Sequence, residues 1–74
     1  MEIKKVIKYF IAYYGASGCR WWDGDKKRWV PQGMCLYRTS YDTVEEAMKE
    51  LRVVRKKSSG WYDDIYIDSY LTVA

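Results

Sequence analysis

A chain of 74 residues, 49% hydrophobic and 31% charged, has the size and composition of one globular domain. That balance excludes the disordered class, and no run approaches the ~18 consecutive apolar residues of a membrane span. A net charge of +3 is modest for a dedicated polyanion binder, and a core this small leaves little stability to spare for deep pockets.

Ile3 to Tyr14 is rich in β-branched and aromatic residues. Ile3, Ile7, Tyr9, Ile11 and Tyr13 fall on one alternating set; Val6, Phe10, Ala12 and Tyr14 fall on the other. A strand apolar on both faces belongs in the middle of its sheet. The lysines and apolar residues of this opening resemble a signal peptide in outline only, because Lys8 interrupts the run and no small-residue cleavage site follows. The cytoplasm is the expected address. Gly15-Ala16-Ser17-Gly18 ends the strand.

Cys19 to Trp22 and Lys26 to Val30 flank Asp23-Gly24-Asp25, which predicts a hairpin around an Asp-Gly turn. Pro31-Gln32-Gly33 predicts a second tight turn, and Met34 to Tyr37 a further short strand. Thr43-Val44-Glu45-Glu46 is a capping box, in which hydroxyl and carboxylate each satisfy an orphan backbone donor. Val44, Ala47, Met48, Leu51 and Val54 then form a helical stripe. Acids crowd its first turn and Arg52, Arg55, Lys56 and Lys57 its last, as the helix dipole favours, and Ser58-Ser59-Gly60 stops it. Asp63 to Val73 alternates once more, with Ile65, Ile67, Leu71 and Val73 opposite Tyr62, Asp64, Tyr66, Asp68 and Tyr70.

These elements assemble into a single α+β domain spanning residues 1–74. Its antiparallel sheet is a β-meander completed by a strand returning after one helix, which packs on one face. If the last strand pairs beside the first, Lys4 and Lys8 approach Asp64 and Asp68. That pairing accounts for the charge gradient from +5 over residues 1–38 to −3 over residues 58–74.

Without a histidine the usual general bases are missing, so no catalytic residue is assigned and the chain is not expected to be an enzyme. Asp23/Asp25 and Asp63/Asp64 fall in predicted turns, where Asp caps backbone amides, and Asp23-Gly24-Asp25 lacks the remaining ligands and closing Glu of a calcium loop. Cys19 and Cys35 alone make neither a disulfide framework nor a zinc site. No metal or cofactor is expected.

Aromatics make 18% of the chain. One helix covers one face of a small sheet, so Tyr62, Tyr66, Tyr70, Phe10 and Tyr14 are left as a patch needing cover. The hairpin folding back as a second core layer, a second copy of the chain, or a partner can each supply it. Arg20, Trp21, Trp22, Arg28 and Trp29 carry the residue types of interface hot spots and are the expected anchors, with Tyr66 and Tyr70 flanking them. Truncating Trp22 is then expected to spare the fold. The alternative is a single-stranded nucleic-acid or RNA-binding module using Lys26, Lys27, Arg28 and Trp29, with tyrosines as stacking platforms. Asp64 and Asp68 oppose it.

The junction from Tyr37 to Ala47, preceded by an aromatic hairpin and followed by one strand, resembles small phage and mobile-element proteins, some of them anti-CRISPR inhibitors. The resemblance covers about a quarter of the chain and transfers no functional residue. It implies a non-enzymatic, phage-type inhibitor that sterically blocks a host complex, acting in the host cytoplasm.

Overall fold

A computed structural model describes residues 3–15, 18–33, 37–57 and 65–73. Four antiparallel strands and one helix follow in the order β1 (Lys5–Gly15), β2 (Gly18–Asp23), β3 (Arg28–Pro31), α1 (Val44–Lys57) and β4 (Ile65–Val73). The sheet order is β3-β2-β1-β4, so the doubly apolar first strand is central and the last strand lies beside it. The fold is α+β.

Register explains how one strand serves two faces. Ile11 lies opposite Ile67, and Tyr13 opposite Ile65 and Arg20. Trp22 lies opposite Trp29. On that side Leu51 and Val54 of α1 bury against Ile11, Tyr13, Trp22 and Ile65, with Trp29, Tyr41 and Ile67 packed at the margin, and Ala47 is buried too. Thr43 Oγ1 accepts the Glu46 amide at 3.2 Å, which caps the helix as the capping box requires. Val44 and Met48 of the expected stripe stay exposed. Glu50 ties the helix to the β2–β3 hairpin, accepting from Trp22 Nε1 and Lys27 Nζ.

The hairpin differs from the tight Asp-Gly turn. Four residues, Gly24 to Lys27, connect β2 and β3, and the left-handed position belongs to Lys27 at φ 53°. Gly24 serves close approach instead. A Cβ there meets Glu50 Oε2 and Tyr41 Oη, each at 2.9 Å. Asp23 does take the expected turn role, accepting the Asp25 and Lys26 amides.

Beyond Trp21 and Ala12 the β2 pairing ends, and residues 39–41 take its place. Tyr9 and Tyr41 exchange both backbone hydrogen bonds, at 2.9 and 2.7 Å, and Thr39 N donates to Trp22 O. This insertion replaces the expected pairing of Lys8 with Asp68, while that of Lys4 with Asp64 falls outside the described residues. Lys8 lies opposite Tyr70 and pairs with Asp42, while Asp68 lies opposite Phe10. The strand over Met34 to Tyr37, the helix stop at Ser58-Ser59-Gly60, and Cys35, Tyr62, Asp63 and Asp64 lie wholly or mainly outside the described residues. Among the described residues no helix is long and apolar enough to cross a membrane.

Candidate functional site

Strand alternation divides the expected anchors between two faces. Trp22, 2% exposed, sits beneath α1 and meets Trp29 edge to face at 5.1 Å. It is core, so the expectation that its truncation spares the fold is corrected. Arg20 shares that side of the sheet but is exposed. Trp21, Arg28, Tyr66 and Tyr70 point to the opposite face, together with Phe10, Tyr14 and Asp68. The hairpin stays in the sheet and does not fold back over them.

That second face is organised around an arginine the sequence reading did not single out. The Arg38 guanidinium carbon lies 4.2 Å from the ring centroids of both Phe10 and Trp21, and 4.5 Å from Tyr70. Phe10 packs against Trp21 at 5.5 Å and Tyr70 at 5.9 Å. Ring faces are electron-rich, so each attracts the cation by about 0.5–2 kcal/mol, depending on how dry the site is. Ser40 Oγ and Tyr70 Oη share a hydrogen bond at 2.7 Å, which fixes the segment carrying Arg38 to β4. Residues 38–40 thus make a thin polar strap across an aromatic sheet face.

Two donors under the strap, Arg38 Nε and Trp21 Nε1, are buried with no hydrogen-bond partner among the described residues. Buried donors are nearly always satisfied, so a pair converging on one cluster marks a place where an acceptor is wanted. Beside them Tyr14 stacks on Tyr66 at 6.2 Å and donates to Asp68 at 2.6 Å. Tyr66 remains 50% exposed. A concavity of about 390 Å³ adjoins the strap, lined by Asp23, Asp25, Lys26, Tyr37, Arg38, Thr39 and Ser40. Arg28 rests over Tyr37 and pairs with Asp23 at its edge. Nothing periodic marks Arg38 in the sequence. Its only signal is the need for a cation to match so many rings.

Titration follows from the same contacts. Burial raises the Tyr14 pKa to about 12, and its hydrogen bond to Asp68 adds to the effect. Tyr41 is raised further, first by burial and then by the charge of Glu50. The Tyr14 hydroxyl, followed by the Ser69 amide, holds Asp68 below its ordinary value. Burial pushes Asp23 up, but the Lys26 amide, Arg28 and the Asp25 amide together outweigh it and leave it lowered. A phenol with a raised folded pKa keeps its proton after the unfolded chain has lost it. Its contribution is complete below the ordinary 10.0 and disappears as pH climbs toward 12. The carboxylates act in reverse, with a contribution present above 3.8 and lost below it. Denaturant midpoints should therefore stay level between these limits, fall from pH 10 upward, and recover part of the alkaline loss in Tyr14→Phe. A midpoint rising above pH 10 contradicts this.

Among the described residues no group of three His, Cys, Asp or Glu is placed to hold a metal ion. Cys19 is a free, exposed thiol opposite Tyr14. Comparison with protein-family models, with curated proteins and with solved structures gave no match.

Proposed function

We propose that this chain is a small non-enzymatic binding protein that docks a protein partner on the sheet face opposite α1. One observation carries the reading: the Arg38 guanidinium is held over Phe10, Trp21 and Tyr70 on a face where Tyr66 stays half exposed. Trp, Tyr and Arg dominate interface hot spots because they supply large, stiff contact area with a polar handle. Here all three types meet on the sheet face that α1 does not cover, under and beside the strap of residues 38–40. Tyr66, half exposed and stacked on Tyr14, gives a partner its contact beside this cluster. Trp21, Arg28, Tyr66 and Tyr70 keep their expected roles, and Arg38 joins them. Trp22 and Trp29 support the surface from beneath.

Steric occlusion is the mechanism such a domain performs most simply. An ordinary interface covers about 800 Å² on each partner, enough to mask a functional surface of a larger complex. An inhibitor of a host complex, as the phage-protein resemblance implies, fits that mechanism. Nucleic acid is the weaker occupant. Asp68 sits among the rings and repels phosphate, and Arg38 already occupies the ring faces a base needs.

The test is affinity capture from host lysate with three immobilised forms: wild type, Tyr66→Asp, and Arg55→Asp on the outer helix. A partner retained by wild type and Arg55→Asp but lost at least tenfold with Tyr66→Asp supports the assignment. Equal retention by all three removes the face from consideration. Single-stranded oligonucleotides should not bind even at low salt, where phosphate contacts are strongest.

A further inference from the structure

The two edges of the sheet are unlike. β3 is four residues long and carries Arg28 and Pro31, the charge and the missing donor that keep an edge from recruiting another strand. β4 runs nine residues in unbroken register against β1, with no proline, lysine or arginine and Asp68 as its one charge. Half of its N–H and C=O groups face away from β1, and among the described residues no backbone bond reaches them. Such an edge is a template for a further strand.

Its surroundings are apolar on the helix side. Leu71 is 61% and Val73 63% exposed, past the reach of α1, and Ile7 opposite Leu71 is also exposed. Val44 and Met48 of α1 are exposed as well. The strip is therefore greasy along its length but thinly covered at one end.

We infer that β4 pairs antiparallel with β4 of a second copy of this chain, about a two-fold axis at Ser69, to form a continuous eight-stranded sheet. The sequence of the edge is what selects a second copy. In that register Ile67 lies opposite Leu71 of the second copy, and Ile65 opposite its Val73. The uncovered aliphatics of each protomer thus extend the covered row of the other. On the other face Asp68 lies opposite Tyr70 of the second copy, and Tyr66 opposite its Thr72, so no like charges meet. A two-fold interface must be self-complementary, and this strand is. Pairing also sets the two Arg38-centred faces on one side of a single sheet, a bivalent surface for whatever docks there.

Sedimentation equilibrium should return twice the 8.9 kDa chain mass for the wild type. Leu71→Lys, at an exposed position, should return the single-chain mass with an unchanged circular-dichroism spectrum. With Cys19 and Cys35 replaced by serine, Ser69→Cys should cross-link to itself under mild oxidation. Directly opposed strand residues are about 4.5–5.5 Å apart at Cα, within disulfide reach. Thr72→Cys, displaced from the axis, should not. A wild type that stays monomeric at every concentration overturns the inference. So does a dimer that survives Leu71→Lys, or one that links through Thr72→Cys and not Ser69→Cys.

Discussion

Trp22→Ala is expected to unfold this domain, lowering its stability by about 3–5 kcal/mol. Trp22 is 2% exposed and packs beneath α1 with Leu51, Val54 and Ile11 in the same cluster. Removing the indole leaves a hole in a layer only one helix deep, and so short a chain has few ways to collapse into it. The whole net stability of a domain this size is itself about 3–5 kcal/mol. Truncation therefore consumes most of the margin. Trp22→Phe keeps much of the volume and should cost less. The measurement is urea unfolding followed by far-ultraviolet circular dichroism. A Trp22→Ala protein that melts cooperatively at the wild-type midpoint contradicts a core role for this indole. Trp21→Ala, only half-buried on the face opposite α1, should be milder.

Glu50→Ala should be the second most damaging change, at about 1–3 kcal/mol for each buried donor it strands. Glu50 Oε2 accepts Lys27 Nζ at 2.7 Å, Trp22 Nε1 at 3.3 Å and, more weakly, Tyr41 Oη at 3.5 Å. One carboxylate oxygen thus ties the helix to the hairpin and to the inserted segment 39–41. The exposed partner contributes least, since a surface ion pair is worth about 0–1 kcal/mol. Lys27→Met should accordingly cost little, whereas Glu50→Ala leaves the indole N–H of Trp22 buried without an acceptor. Glu50→Gln keeps an acceptor and should fall between them. In that variant Tyr41 should titrate at lower pH than in the wild type, because the charge of Glu50 adds to the effect of burial. Equal midpoints for Lys27→Met and Glu50→Ala show that the carboxylate acts only as a surface ion.

The element order, the central place of β1 and the helix cap were legible because each rests on a local pattern. Alternation, a Thr-x-x-Glu box and a 3–4 spacing are written in consecutive residues. The failures share a cause in long-range placement. Adjacent tryptophans 21 and 22 were read as one exposed pair, yet strand parity separates neighbours onto opposite faces, and the helix decides which is buried. Lys8 was assigned to the last strand, but the insertion of residues 39–41 beside β1 brings Asp42 within reach first. The Asp-Gly turn misled because Gly24 is needed for the crowding of Glu50 and Tyr41, not for a left-handed backbone. Arg38 was missed for the same reason. It sits in irregular chain, and only the finished sheet reveals the three rings it covers.

Hydroxyl-radical footprinting of the captured complex bears most directly on the uncovered sheet face. Modification of Trp21, Tyr66 and Tyr70 should drop on partner binding, while Met48 and Val53 on α1 keep their free-protein reactivity. Protection confined to the helix, with Tyr66 as reactive as before, contradicts docking through the aromatic surface around Arg38.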